Sequence, residues 1–292
     1  MGWLFRGMSR LPLSVLHALG ALLGWLVFLA SPVYRQRFRA NVAQAGIPWP
    51  QARPAIAAAG RMAAELPWLW IAQKGRPFGD RLRWDGAGLI EAALAEKRGL
   101  IVMTPHLGCF EICAQAIAER FTTPEAPITV LYRPARQAAL RDVMAGSRER
   151  PGLATAPASL AGVRQMIRSL RRGEVVGLLP DQVPPDGLGV WAPFFGRPAY
   201  TMTLAARLQQ QTGAAVVLLF GERLPGGRGF VVHVLPAPEI ARDAPAEQAA
   251  AIVNAAMEGL IRRAPGQYLW GYHRFKQPRG LDIGAAPDNP AP

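Results

Sequence analysis

Cysteine is scarce in this 292-residue sequence, which contains only Cys109 and Cys113. Their four-residue spacing on a helix is too close for an ordinary structural disulfide, so the chain has no disulfide framework. That pattern fits the reducing cytoplasm. The sequence also lacks internal repeats and any composition typical of disorder, collagen or a coiled coil. Half of the residues are hydrophobic, which at this length favours one large α/β domain.

Lysine and acidic residues are also few. Only Lys74, Lys97 and Lys276 are lysines among 33 basic residues, and these face 20 acidic residues, giving a formal charge of +13. Such an excess favours an acidic partner, which could be nucleic acid, an anionic membrane surface or an acidic carrier protein. No recognised nucleic-acid motif is present, and an apolar anchor would tether a nucleic-acid binder to a membrane. We therefore expect no nucleic-acid partner.

Charge is absent from residues 11–34, an apolar run long enough to cross a bilayer. Arg6 and Arg10 before the run would also suit a cleavable signal peptide. The length of the run and the immediate Arg35, Arg37 and Arg39 favour a retained anchor, with these arginines on the cytoplasmic side. Pro12, His17 and the two glycines Gly20 and Gly24 leave open a helix that lies in the interface instead of spanning. We predict an anchor with its basic flank over 1–40, a catalytic region over 41–283 and a disordered tail over 284–292.

Short apolar segments alternate with helical patterns through the rest of the chain. This alternation predicts an α/β fold with a central, mostly buried sheet flanked by helices. The predicted strands are 100–104, 128–132, 174–179, 215–220 and 230–235. The predicted helices are 51–73, 86–97, 110–120, 137–148, 159–172, 200–211 and 246–263.

His106 and Glu111 form an H-x4-E pair between a predicted strand and the next helix. On a continuous helix the two side chains would point about 140° apart, so they can meet only if His106 lies on a turn before the helix. Pro105 and Gly108 permit such a turn. A carboxylate could then fix the imidazole tautomer while the other nitrogen takes a proton from a substrate hydroxyl. No serine lies in residues 104–111, which suggests that the nucleophile belongs to the substrate.

Other interpretations of this segment stay open. His106 and Glu111 could be structural, since a glutamate in a first helical turn also favours the helix dipole. His106, Cys109 and Cys113 could be metal ligands, but a zinc site would need a distant fourth ligand. Cys109 could act as a nucleophile beside His106, although both cysteines are more simply small buried side chains.

Several segments in order resemble blocks of the lipid A late acyltransferases, within the H-x4-[DE] glycerolipid acyltransferase superfamily. Besides His106 and Glu111, the resemblance covers nearly the whole chain. It is carried by Arg37 and Asn41 (R-x3-N), 132–134 (YRP), 174–182 (EVVGLLPDQ), 193–196 (PFFG), 201–214 and the terminal block 265–276 (PGQYLWGYHRFK). In the terminal block Tyr272 and His273 replace the His and Arg that are common in the family, which puts the details of acceptor recognition in doubt.

The resemblance implies a glycerol-3-phosphate acyltransferase-like fold and an enzyme of the inner membrane, with its catalytic part on the cytoplasmic side. It implies transfer of a fatty acyl chain from acyl carrier protein to a hydroxyl of a lipid A precursor, without cofactor, metal or acyl-enzyme. By the same resemblance His106 is the catalytic base and Glu111 orients it. Arg133 would stabilise the oxyanion or bind phosphate, and Asp181 and Gln182 are substrate-binding residues. Other lipid acceptors, such as a lysophospholipid, ornithine lipid or glycosylated phosphoinositide, and a hydrolase using the same site remain alternatives.

One helical segment carries a basic stripe. In residues 161–172, four arginines recur at helical spacing beside an apolar face: Arg164, Arg168, Arg171 and Arg172. The stripe could dock an acidic carrier protein or lipid phosphates, or it could be a solvated face.

Overall fold

The computed structural model describes residues 2–132 and 150–278. Five helices precede the sheet region, and a π-helical turn at Trp68–Ala72 follows them: α1 Gly2–Ser9, α2 Leu13–Ala30, α3 Pro32–Gln44, α4 Trp49–Ala52 and α5 Ala55–Ala64. Among the described strands lie α6 Gly88–Ala95, α7 Phe110–Arg120, α8 Leu160–Arg171 and α9 Leu204–Thr212, and α10 Ala246–Arg263 follows the last strand.

Seven of the nine described strands form one central sheet, in the order β1-β9-β8-β2-β5-β3-β4. Five of its neighbouring pairs are parallel, and only the β8–β9 pair is antiparallel. The strands are β1 Leu82–Asp85, β2 Leu100–Met103, β3 Ile128–Tyr132, β4 Leu153–Pro157, β5 Val175–Leu178, β8 Ala215–Arg223 and β9 Phe230–Pro236. A separate antiparallel hairpin joins β6 Gly189–Phe194 to β7 Arg197–Met202.

Helices cover both faces of the sheet, so β2 and β5 are buried at every position. Residues alternate between two cores along β2. Ile101 and Met103 pack in the core that contains α8, α9 and α10, whereas Leu100 and Val102 pack in the core that contains α6 and α7. The predicted class is confirmed as mixed α/β, with a central, mostly parallel sheet flanked by helices.

Several helices have bounds that differ from the predicted ones. The helix predicted over 51–73 is broken, because Pro54 and Pro67 each start a new helical segment. The helix predicted over 200–211 begins only at Leu204, since Tyr200 belongs to β7. The helix predicted over 137–148 and the tail predicted over 284–292 lie outside the described residues.

Within the described residues, α2 is the helix that is long and apolar enough to cross a membrane. It contains 18 residues. Its mean hydropathy is 2.1, and about a third of it is buried against the rest of the protein.

Candidate active site

The register of two neighbouring parallel strands brings His106 and Asp181 together. Met103 on β2 is paired with Leu178 on β5, and the backbone N–H of Thr104 continues the ladder to the carbonyl of Leu178 at 3.1 Å. His106 and Asp181 each follow the last pair by three residues, so both emerge at the same level of the carboxyl edge. This edge is where parallel α/β sheets bind their ligands.

The His106 ring has a defined partner at each nitrogen. Nδ1 lies 2.7 Å from Asp181 Oδ1, and the backbone N–H of His106 donates to Asp181 Oδ2 at 2.9 Å. Nε2 lies 3.0 Å from Nε2 of the Gln182 amide. An ionised carboxylate only accepts, so Nδ1 carries the proton, and Nε2 is then the nitrogen that accepts a proton.

Asp181 is buried, with 1% of its surface exposed. Burial acts to raise the pKa of its carboxyl, but the positive charge and two hydrogen bonds of His106 outweigh burial, with a smaller effect from Arg274, and the pKa is lowered. Asp181 is therefore a stable carboxylate at neutral pH. It can hold the neutral imidazole and stabilise the imidazolium that forms when Nε2 takes a proton.

The turn that carries His106 is held by one backbone and one side-chain contact with β8. The N–H of Cys109 donates to the carbonyl of Gly221 at 2.7 Å, and Arg223 Nη2 donates to the carbonyl of Gly108 at 2.7 Å. Gly108 has a φ of +59°, and a Cβ at this position would overlap the carbonyl oxygen of Gly221. Glycine is required here by both the backbone conformation and the close approach of β8.

The terminal block also supports the turn. The N–H of Gly108 donates to the carbonyl of Gln267 at 3.0 Å, and the N–H of Leu269 donates to the carbonyl of His106 at 3.3 Å. The hydroxyl of Tyr272 accepts from the N–H of Val183 at 3.0 Å, next to Gln182. Tyr272, one of the two departures from the family pattern, therefore contacts the loop that carries Asp181 and Gln182.

Sequence reasoning missed how the R-x3-N element contributes. The Asn41 amide, on α3, donates to the carbonyls of Trp270 and Tyr272 at 2.7 and 2.8 Å. Asn41 thereby fixes the terminal block, which in turn contacts the turn of His106 and the loop that carries Asp181 and Gln182. The sequence placed the R-x3-N element and the terminal block in the order seen in the family. Only the fold shows that the two segments are in contact.

A cavity of about 720 Å³ opens beside His106, within the size range of ligand sites. His106, Glu111 and Gln182 line it together with mostly apolar side chains, among them Leu131, Ile167, Leu179, Leu204 and Leu208. An apolar chain gains free energy in such a lining, at about 0.8 kcal/mol per buried CH₂. The cavity therefore joins a proton acceptor to a space suited to an apolar ligand.

Glu111 lies in the first turn of α7 and lines the cavity. Its Oε2 accepts from the Trp70 indole at 3.4 Å, whereas the His106 ring nitrogens contact Asp181 and Gln182. The orienting role assigned to Glu111 stays a prediction. Arg133 lies outside the described residues, directly after β3.

The two cysteines of the same segment are buried. Burial raises the pKa of the Cys109 thiol well above its ordinary value, so the thiolate that a nucleophile needs is disfavoured. The described residues contain no group of three or more His, Cys, Asp or Glu side chains that could hold a metal ion.

Sequence reasoning also missed a buried ionic group behind the turn. Glu65 accepts from Arg223 Nε and Nη2 at 2.7 and 2.6 Å, and its Oε2 lies 3.1 Å from His17 Nε2. Burial acts to raise the pKa of Glu65, but Arg223 more than offsets this and the pKa is lowered. The one available signal was that Glu65 is the first acidic residue of the chain.

Comparisons with known proteins agree on one family. The model of the bacterial lipid A biosynthesis acyltransferase family matches residues 3–277. The sequence is 30% identical over 228 residues to the lipid A biosynthesis lauroyltransferase of Escherichia coli K12, covering 76% of this chain and 70% of that protein. It is 27% identical over 212 residues to the lipid A biosynthesis palmitoleoyltransferase of the same strain, covering 72% and 66%. A Haemophilus influenzae lipid A biosynthesis acyltransferase is 27% identical over 190 residues, covering 65% and 58%.

Proposed function

Since this chain belongs to the bacterial lipid A biosynthesis acyltransferase family and is an acyltransferase, we propose that it transfers a fatty acyl chain from acyl carrier protein to a hydroxyl of a lipid A precursor. The observation that carries the proposal is His106, which is held by Asp181 at Nδ1 and faces an apolar cavity. No protein nucleophile is needed, because the acceptor hydroxyl attacks directly.

The reaction follows from the tautomer of His106. Nε2 takes the proton of the acceptor hydroxyl as its oxygen attacks the thioester carbonyl carbon. The tetrahedral intermediate then collapses, the C–S bond breaks, and the imidazolium returns its proton to the departing sulfur. The products are an ester on the lipid and the free thiol of the carrier protein, with no acyl-enzyme and no net change of protons on His106.

The neighbouring groups have separate tasks in this scheme. Asp181 orients His106 and stabilises the imidazolium. Gln182, whose amide contacts Nε2 of His106, gives way to the acceptor hydroxyl and donates its amide N–H to the substrate. Glu111, which lines the same cavity, adds a second negative charge to its wall. Arg133, the residue that follows β3 in the sequence, stabilises the oxyanion or binds a phosphate of the acceptor.

The carrier protein docks, in this proposal, on the basic face of α8. Arg164, Arg168 and Arg171 are exposed, and Arg164 also lines the cavity. Arg172 is less suited to this role, since it forms an ion pair with Glu174 at 2.6 Å. An acidic carrier would thus be drawn to the cavity that must receive its acyl chain.

We also propose that α2 attaches the enzyme to the inner membrane, with the catalytic part on the cytoplasmic side. The support is the apolar character of α2 and the arginines at both of its ends. This side is where a soluble acyl carrier protein and a membrane-embedded lipid acceptor can meet.

The direct test supplies purified enzyme with acylated carrier protein, with and without a lipid A precursor, and follows products by mass spectrometry. We expect one acyl mass added to the lipid and little free fatty acid. Acyl release that does not depend on the lipid would identify a hydrolase instead. Transfer to a lysophospholipid but not to the lipid A precursor would contradict the proposed acceptor.

A further inference from the structure

Helix α2 has one buried face and one exposed face along its whole length. The buried face consists of Leu13, Leu16, His17, Gly20, Gly24 and Phe28. The exposed face consists of large apolar side chains at helical spacing: Val15, Leu19, Leu22, Leu23, Leu26 and Leu29. Leu22 and Leu29 are 59% and 64% exposed, and Trp3, on α1, is 79% exposed. Such a contiguous apolar surface marks an interaction site.

The buried face is joined to the catalytic region by close backbone packing. A Cβ at Gly20 would lie 2.7 Å from the Cα of Arg61, and a Cβ at Gly24 would overlap the carbonyl oxygen of Ile56. Gly60, on α5, approaches the backbone of α2 equally closely from the other side. The two helices therefore touch through their backbones, and no lipid can enter between them.

A buried ionic contact fixes the same face. His17, in the first half of α2, lies 3.1 Å from Glu65, which in turn binds Arg223 next to the catalytic turn. If α2 crossed a bilayer in this arrangement, Glu65 and Arg223 would be drawn towards the hydrocarbon. Charged groups are costly there.

Both ends of α2 contact the same body of protein. At its start, α1 returns to the catalytic region, where the Phe5 ring stacks on Trp70 with centroids 6.2 Å apart. Trp70 donates to Glu111 of the cavity. At its end, Phe28 packs edge-on against Phe38 with centroids 5.5 Å apart. A spanning α2 would instead place α1 about 30 Å away, across the hydrocarbon core.

Basic residues flank the exposed apolar face. Arg6 and Arg10 are exposed before α2, and Arg37 and Arg39 are exposed after it. Arg35 donates to the carbonyls of Phe28 and Leu29 at 3.3 and 2.9 Å, which caps the carboxyl end of α2. An apolar stripe with arginines at both ends matches the acyl region and the anionic headgroups of a single leaflet.

We propose that α2 is a monotopic anchor: its exposed face lies in one leaflet of an anionic phospholipid membrane, and the N-terminus stays on the same side as the catalytic region. The inference rests on the membrane attachment proposed above and decides between a spanning helix and an interfacial one. The helix that contacts the lipid would then be the one that is connected to the catalytic turn through His17, Glu65 and Arg223.

The test uses the full chain in its native membrane and two matched cysteine reporters. Gly7 and Gly259 are both exposed helical glycines where a Cβ meets nothing within 4 Å, and both native cysteines are buried. Gly7→Cys and Gly259→Cys are treated with a membrane-impermeant maleimide in spheroplasts and in inverted vesicles. We expect both to react only in inverted vesicles. Reaction of Gly7→Cys only in spheroplasts would overturn the proposal.

A second measurement tests the exposed face itself. We expect the double variant Leu22→Glu/Leu26→Glu to move from the membrane pellet to the supernatant at least tenfold more than the control Leu89→Glu, which changes an exposed leucine on α6. Equal retention of the two variants would contradict attachment through this face. Acyl transfer assayed in detergent tests the proposed function separately. The monotopic topology can therefore be refuted while the proposed activity is retained.

Discussion

Asp181→Asn removes the negative charge beneath His106 and leaves the shape of the side chain almost unchanged. In the native protein the two carboxylate oxygens accept from Nδ1 and from the backbone N–H of His106, at 2.7 and 2.9 Å. An amide can accept only through its single oxygen, so its NH₂ group would face one of these two donors. The substitution therefore disturbs the tautomer and removes the charge that stabilises the imidazolium.

We expect Asp181→Asn to lose most of the rate acceleration that the general base provides. Positioned general bases contribute about 10²–10⁴ in rate, or about 2.7–5.4 kcal/mol at about 1.36 kcal/mol per tenfold. We expect kcat of Asp181→Asn to fall by about this factor. The KM for acylated carrier protein should change little, because Asp181 is buried beneath the ring.

The assay is steady-state acyl transfer by purified full-length enzyme, with Asp186→Asn as control. Asp186 is an exposed aspartate on the same loop. Glu111→Gln measured in parallel separates the two carboxylates that compete for the orienting role. An Asp181→Asn enzyme within a few fold of the wild-type kcat would refute the reasoning, and a large loss in Glu111→Gln alone would assign orientation to Glu111.

The lowered pKa of Asp181 also has a consequence for stability. Burial opposes the shift, but the charge and hydrogen bonds of His106 outweigh burial, so the pKa of Asp181 in the folded protein lies below its ordinary value. A depressed carboxyl pKa stabilises the fold above the unfolded value, and this stability is lost as the pH falls through the folded pKa. Thermal melts between pH 5 and pH 3 should therefore show a smaller acid-induced loss for Asp181→Asn. An equal or steeper loss would contradict the assignment.

Three further predictions concern groups around the site. Glu65→Ala leaves Arg223 buried without its carboxylate, and we expect a destabilisation of about 3–5 kcal/mol in denaturant unfolding; a change below 1 kcal/mol would contradict it. Cys109 is buried with a raised pKa, so a maleimide at pH 7.5 should leave activity unchanged and Cys109→Ala should still transfer acyl chains; a trapped acyl adduct on this thiol would argue otherwise. Arg164→Gln/Arg168→Gln should raise the KM for carrier protein and weaken its dependence on salt, and an unchanged KM would count against docking on α8.

Some helices and strands could be predicted because the residues within and beside them determine their bounds. Helices α7 and α10 and strand β3 match their predicted bounds, since their apolar spacing and flanking turn residues agree. The edge strands β1 and β4 were missed. Both are short and only half buried, so their sequences carry little of the hydrophobic pattern that identifies a strand.

The sequence could identify the residues of the candidate site, but it could not predict how they are arranged in space. His106 and Asp181 were both recognised, yet β3, β4, α7 and α8 separate β2 from β5 along the chain. Nothing local indicates that these two strands are neighbours in the sheet. Once they are, the register Met103–Leu178 places Asp181 beside His106. The same limit hid the contacts of Asn41 and Gln267, which join segments more than 150 residues apart.

The central claim is that His106 Nε2 takes the proton of a lipid hydroxyl during direct acyl transfer. Its most direct test is mass spectrometry of the lipid formed by wild-type and His106→Ala enzymes from acylated carrier protein and a lipid A precursor. We predict one added acyl chain with the wild type, and at least a hundredfold less product with a normally folded His106→Ala enzyme. Product at a rate near that of the wild type from His106→Ala would contradict the account.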